Sequence, residues 1–288
     1  NMTAIPLPEH IPTPCFVLDV ARLRTNLETA RRVREEADCK VLLATKAFAM
    51  PAVFPMMRDY LDGTTASGEH EAIMGHEEFG KEVHVYSPAY TEDEVRRLTK
   101  VAQHIYFNSA EQLVRFGAIA RDAGCKVGLR VNPGYSNATL GGDLYNPTAP
   151  GSRFGEVPGM LDSVDWSGVD IFHVHALCES LHEGSVAENF GKYIEQVSAV
   201  NFGGGHFLNK PGYDVDSLIA AIKAFKAKFT VEVVLEPGAG LVVNTGELYA
   251  TVLALHKNEL DLAILDASAS THMPDVLEVP YRPDIVGA

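Results

Sequence analysis

The chain has 288 residues, 46% hydrophobic and 22% charged, which is enough to bury a large core and unlike the composition of a disordered polypeptide. A formal net charge of -14 with no Lys/Arg-rich run argues against a nucleic-acid or anionic-membrane partner, since both demand a basic footprint. No apolar run approaches the ~20 residues of a membrane helix, the cysteines Cys15, Cys39, Cys125 and Cys178 fall in no metal-ligand spacing, and no signal peptide is read, so the expected setting is the reducing cytoplasm.

A short strand over Pro12 to Leu18 is followed by Asp19, which caps a helix whose apolar residues Val20, Leu23, Leu27, Ala30 and Val33 recur at threes and fours. Strands are then predicted at 41–46, 63–67, 82–87, 104–108, 126–132, 171–176, 199–205 and 232–236. Helical patterns lie between them at Gly68 to Phe79, Thr91 to Ala102, Ser109 to Ala123 and Asp214 to Phe229. Eight alternating units predict an α/β fold, a (β/α)8 barrel. The insertion holding Tyr145 to Gly155 is expected to be an active-site loop. Beyond Gly240 the runs Glu247 to Leu255 and Leu260 to Leu265 are strand-like without helices. The expected domains are therefore a barrel over 19–245 and a β-rich domain from 1–18 with 246–288, incomplete at its C-terminus.

In a parallel barrel, chemistry collects at the carboxyl ends of the strands. The unusual residues fall there: Lys46, Ser67, Tyr86, Asn108, Arg130, Asn132, His175, Gly203-Gly204-Gly205 and Glu236. Singly, each has an ordinary reading as an edge charge, a core histidine or a turn. Jointly they suit pyridoxal phosphate. Desolvation of a lysine in an apolar, concave site disfavours its ammonium form and leaves an amine able to join an aldehyde. That role fits Lys46. The triple glycine lets backbone N–H groups approach a phosphate, and Glu236 can pair with a pyridine nitrogen. His175 is expected against the face of the ring, with Arg130 in the hydrogen-bonded support beneath it.

The segments Leu43-Ala-Thr-Lys46-Ala-Phe-Ala49, Pro150-Gly-Ser-Arg-Phe-Gly155, His173-Val-His-Ala-Leu-Cys-Glu179, Asn201-Phe-Gly-Gly-Gly-His206, Glu236-Pro-Gly238 and His272-Met-Pro-Asp-Val-Leu-Glu278 resemble a known family. It is the carboxynorspermidine/carboxyspermidine decarboxylases, members of the alanine-racemase-fold (fold type III) enzymes. The resemblance implies that Lys46 carries the cofactor, His175 stacks on it, Gly203, Gly204, Gly205 and Gly238 bind its phosphate, and Glu236 holds the pyridinium. It also implies a cytoplasmic homodimer with active sites at the interface, making norspermidine or spermidine in polyamine biosynthesis. His272 and Asp275 are candidate substrate contacts, with Glu278 and Glu179 as further carboxylates for a polycationic tail. The family's second domain continues past the last of these segments and supplies a loop with a Cys-x-x-Gly-Asp-like motif to the partner's site. This chain stops at Asp284-Ile-Val-Gly-Ala288, so a fragment of a longer protein is expected, the alternative being a member without that loop.

Four rival readings remain. Another fold type III decarboxylase, diaminopimelate- or ornithine-like, shares the glycine and Glu-Pro-Gly elements. A metal-dependent barrel hydrolase could use His173, His175, His206 and Asp266, although the His-x-His pair of such enzymes resembles a first-strand feature and here lies on the sixth. A non-catalytic carrier of the cofactor could share the fold. A racemase needs a second base, for which Tyr249 and Tyr281 are the tyrosines after the barrel.

Overall fold

The computed structural model describes residues 10–136, 146–176, 187–278 and 281–286. In chain order the elements are β1 (Cys15–Leu18), α1 (Val20–Glu36), β2 (Lys40–Ala44), α2 (Phe54–Met57), β3 (Gly63–Ala66), α3 (Glu69–Met74), β4 (Glu82–Tyr86), α4 (Glu92–Leu98), β5 (His104–Phe107), α5 (Ala110–Asp122) and β6 (Lys126–Val131). They continue with β7 (Ile171–Val174), α6 (Ala187–Ile194), β8 (Ala199–Asn201), α7 (Val215–Phe229), β9 (Glu232–Leu235) and α8 (Ala239–Val242). The last are β10 (Gly246–Tyr249), β11 (Val252–Asn258), β12 (Leu260–Leu265), α9 (Ala269–His272) and α10 (Asp275–Glu278). The chain divides into two compact units, one over Asn26–Leu241 and the other made of the residues up to Thr25 and from Val242 onward.

In the first unit β2 to β9 pair in sequence order into a closed parallel barrel, sealed by β2 against β9 with Lys40 opposite Val234. All eight predicted strands are present, and each ends one to four residues before its predicted end. The helices start where the sequence offers a cap. Thr91 and Glu94 form a capping box on α4, Ser109 accepts from Gln112 N–H on α5, and Asp214 accepts from Ser217 N–H on α7. Each such cap contributes about 1 kcal/mol. The predicted helix over 68–79 is α3 followed by a wide turn, Gly75–Phe79, with an i to i+5 bond from Gly80 N–H to Gly75 O. Leu23, Leu27, Ala30 and Val33 are buried as their spacing predicts, while Val20 is exposed.

The strands alternate. Val83, Val85, Ile105, Phe107, Val127, Leu129, Phe172, Val174 and Val200 join one apolar cluster with helix residues such as Phe116 and Phe190. Their neighbours along each strand fill the barrel interior, where Ile171 and Ala199 pack with Tyr106 and the polar His84, His104, Tyr106, Arg130, His173 and Asn201 are all buried. Glycine makes room for the largest of them. A Cβ on Gly128 would lie 2.2 Å from Tyr106 Cδ1, so the ring occupies the space a side chain would fill.

The second unit pairs β1 with β10 and β11 with β12, both antiparallel. Asp19 accepts from Ala21 N–H and Arg22 N–H at the start of α1. Its hairpin β11–β12 is apolar and exposed at Leu255 and Leu260.

Burial decides the state of the interior imidazoles. It pushes His104, with His84 beside it, from the ordinary 6.5 down to about 2, His206 down to about 4, and His173 well below 6.5. The fold therefore holds neutral rings that bind protons once the chain unfolds. The unfolded state carries the extra protons below pH 6.5, so stability is fully present above that value and lost as pH falls. Denaturant titrations are expected to show stability dropping steadily from pH 6.5 to about 4, by roughly 3 kcal/mol from His206 alone; a flat profile across that window would contradict the assignment.

Candidate active site

A cavity opens at the carboxyl end of the barrel strands, lined among others by Lys46, Ser67, Tyr86, Arg130, His173, His175, Gly204, Gly205, Glu236 and Gly238. Seven of the eight cofactor residues read from sequence thus share one cavity, and the eighth, Gly203, packs beneath it against His175. Asn108 and Asn132 support the β6–β7 loop instead. Asn108 accepts from Tyr86 Oη at 2.6 Å and Gly155 N–H at 2.7 Å, and Asn132 accepts from Gly134 N–H.

Lys46 does not end a strand. β2 stops at Ala44, and a turn closed by Ala47 N–H on Ala44 O carries the lysine onto the rim. Thr45 anchors that turn, with its N–H on Thr65 O at 3.1 Å and its hydroxyl on Glu71 at 2.6 Å. Lys46 is exposed rather than desolvated, so the apolar strand behind it positions the amine without burying it. The reason is local: the chain has already left the ladder two residues before the lysine.

Arg130, near the end of β6, packs its guanidinium between the rings of Tyr86 (4.4 Å) and Phe154 (4.9 Å). Burial raises the Tyr86 phenol above its ordinary range, with the Arg130 charge opposing.

His175 follows β7 and is half-buried. Its Nδ1 accepts from Gly204 N–H at 3.1 Å, so any ring proton sits on Nε2. Burial first, and Lys46 second, hold its pKa well below 6.5 and leave the ring uncharged at neutral pH. Gly203 adopts φ +69, and a Cβ there would lie 2.6 Å from His175 Nδ1, so glycine is required both for the turn and for the contact.

The predicted strand over 199–205 ends at Asn201, leaving the three glycines as a loop. Asn201 is the hub of the site. Its Oδ1 accepts from Gly203 N–H at 2.8 Å, and its Nδ2 donates to Glu236 Oε1 at 2.7 Å and to Tyr106 Oη at 3.0 Å. Glu236, one residue past β9, is buried with Oε2 3.7 Å from His173 Nε2. Both ring nitrogens of His173 lack a hydrogen-bond partner in the fold. In the sequence Asn201 stands out only as part of the glycine segment, without this role. Its signal was an asparagine two residues before a glycine, the spacing at which the side chain caps its own turn. Tyr106 carried no signal, because a tyrosine in His104-Ile-Tyr-Phe107 reads as core.

Among the described residues two groupings could present three metal-ligand atoms within 4.8 Å: His173 with His175 and Glu236, and Glu82 with His84 and His104. Neither includes His206 or Asp266, the other members of the hydrolase reading. Asp266, in the second unit, accepts from Thr13 Oγ1 at 2.6 Å and Thr251 N–H at 2.8 Å.

His272 and Asp275 also belong to the second unit. His272 Nδ1 accepts from Ser268 N–H at 3.2 Å, and Asp275, exposed, accepts from Tyr281 Oη at 2.6 Å. The Tyr249 hydroxyl is likewise engaged, by Glu247. Tyr145, Cys178 and Glu179 lie outside the described residues.

No protein-family model matches the chain. Individual proteins do. It is 41% identical to the carboxyaminopropylagmatine decarboxylase of Synechocystis sp., over 100% of this chain and 76% of that protein. It is also 41% identical to the carboxynorspermidine/carboxyspermidine decarboxylase of Campylobacter jejuni, over 97% of this chain and 74% of that one. A crystal structure of carboxynorspermidine decarboxylase from Campylobacter jejuni, complexed with norspermidine, superposes with a TM-score of 0.84 at 38% identity, covering 95% of this chain and 72% of that chain. With relatives at that identity matched over about three quarters of their length, the chain belongs to the carboxynorspermidine/carboxyspermidine decarboxylase family.

Proposed function

We propose that this chain uses pyridoxal phosphate to remove the α-carboxylate of carboxynorspermidine or carboxyspermidine, yielding norspermidine or spermidine. The observation that carries the reading is one cavity holding an exposed amine, a neutral imidazole, a glycine loop and a buried carboxylate. Its lining suits the cofactor's groups. A Cβ on Gly204 would lie 2.8 Å from Glu236 O, and one on Gly238 would lie 2.5 Å from Ala47 Cβ, so only glycine lets these loops pack this closely at the cavity wall. The unpartnered His173 nitrogens beside Glu236 are a second sign of a polar ligand at the cavity floor.

When bound, pyridoxal phosphate supplies the aldehyde that takes an amine and the electron-poor ring that accepts the electron pair left as CO2 departs. The protein's part is to hold and orient. Lys46 Nζ offers the primary amine at the rim, and Thr45 and Glu71 fix its turn. Gly205 and Gly238 would receive the phosphate on backbone N–H groups, while the N–H groups of Gly203 and Gly204 hold Asn201 and His175 in place beside it. Glu236 would accept the ring N–H, its orientation held by Asn201. His175, uncharged, would lie flat against the ring with Nδ1 tethered to Gly204. Arg130 would act through Tyr86, which lines the cavity.

A cationic tail needs a carboxylate, for which Asp275 remains a candidate, with His272 a further candidate for substrate contact. The same reading extends to a cytoplasmic homodimer with sites at the interface. For the compartment, Cys15, Cys39 and Cys125 are free thiols, as a reducing setting favours. A second substrate reading, carboxyaminopropylagmatine, is favoured by the 41% identity to the Synechocystis relative.

CO2 release from carboxynorspermidine, carboxyspermidine, carboxyaminopropylagmatine and diaminopimelate, measured side by side, separates these readings. Turnover is expected on the first two and to fall about 1,000-fold or more in Lys46→Ala, as for loss of a nucleophile that acts with its neighbours as a unit. Turnover confined to either of the others would overturn the substrate assignment. Glu236→Gln keeps the shape and removes the charge, and its kcat/KM is expected to fall about 100-fold, comparable to loss of a preorganised electrostatic partner; an undiminished value would remove Glu236 from the site's chemistry.

A further inference from the structure

Below the cavity the barrel interior holds a continuous line of hydrogen bonds. Gly203 N–H donates to Asn201 Oδ1, which fixes the amide so that both Nδ2 hydrogens point away, one to Glu236 Oε1 and one to Tyr106 Oη. Tyr106 Oη, accepting from Asn201, has its own proton free to donate, and its neighbour at 2.8 Å is His84 Nδ1. A His84 ring that accepts at Nδ1 carries its proton on Nε2, and that nitrogen is 3.2 Å from Glu82 Oε2. Glu82 also accepts from Lys40 Nζ at 2.7 Å and 3.0 Å, and Lys40 is 3.0 Å from Glu232. Lys40, Glu82 and Glu232 begin their strands, whereas Asn201 and Glu236 lie at the other end. The line thus runs the length of the barrel.

Its inner members are closed off from water. Tyr106, His84 and Asn201 each have 0% exposure, so no solvent can replace a missing partner. Burial pushes the Tyr106 phenol well above its ordinary range, so it keeps the proton that it donates. The His84 hydrogen bond, with Lys40 adding to it and burial opposing, holds Glu82 down at about 2, so the line ends on a fixed negative charge.

We propose that Tyr106, His84 and Glu82 are positioning residues, a hydrogen-bonded column that holds the Asn201 amide with its N–H toward Glu236 and so fixes that carboxylate for the ring nitrogen of the cofactor. The inference rests on the reading of Glu236 given above. A column that merely satisfied buried polar groups would stabilise the barrel and affect every ligand of the cavity alike. A positioning column affects only ligands that present a ring nitrogen.

The test is binding of two ligands to the apo-protein: pyridoxal phosphate, and its analogue with the ring nitrogen replaced by carbon. The ratio of their apparent Kd values is measured for the parent chain, Glu236→Gln, Tyr106→Phe and His84→Leu, with thermal melting to establish folding. Glu236→Gln should collapse the preference for pyridoxal phosphate. Tyr106→Phe should reduce it about 5-fold while leaving affinity for the analogue unchanged, the scale of one buried hydrogen bond, and His84→Leu should reduce it about 2-fold. If Tyr106→Phe does not fold, His84→Leu decides by the same ratio. An unchanged ratio in the column variants beside a collapsed one in Glu236→Gln overturns the column and leaves the function standing. An unchanged ratio in Glu236→Gln overturns the reading of Glu236 and the column with it.

Discussion

The Asn201 amide is the interaction on which the site depends. A parallel barrel presents to its interior only what side chains supply, because the backbone groups are spent on the ladder. Asn201 spends one oxygen on the Gly203 N–H, which shapes the glycine loop, and two hydrogens on Glu236 and Tyr106. The loop, the buried acid and the interior column therefore share one residue. With its three partners in place the amide has a single orientation, and the carboxylate it holds inherits that orientation.

Two kinds of order meet at the barrel wall. Outward residues such as Val83, Ile105 and Phe172 are apolar and pack against helices, a burial worth about 1.5 to 3 kcal/mol per large side chain. Inward residues include histidines, tyrosines, an arginine and an asparagine beside Ile171 and Ala199. A barrel filled with aliphatic side chains would need no such care over partners, since each unpaired polar group costs about 1 to 3 kcal/mol. The polar filling makes the interior an extension of the cavity rather than a neutral plug.

The barrel was legible because each strand is a short β-rich run between helical patterns, and every such run became a strand. The strand ends were not. Lys46, His175, the glycines and Glu236 extend runs that read as strand, yet they lie past the strand ends, where side chains such as Asn201 and Glu71 begin to take over the backbone N–H groups. The cluster at the cavity could be foreseen from that common position at strand ends. The exposure of Lys46 could not, because it follows from the Ala44 turn. Tyr106 and His84 were invisible for a different reason: an interior polar residue in a strand has the same local pattern as a core residue, and only the closed barrel brings Asn201 and Tyr106, 95 positions apart, into contact.

Peptide mass spectrometry after borohydride reduction of the folded protein incubated with pyridoxal phosphate tests the central assignment most directly. A phosphopyridoxyl adduct on the peptide holding Lys46 is the predicted result. An unmodified Lys46 in folded protein would contradict it, and would direct attention to metal binding at His173, His175 and Glu236.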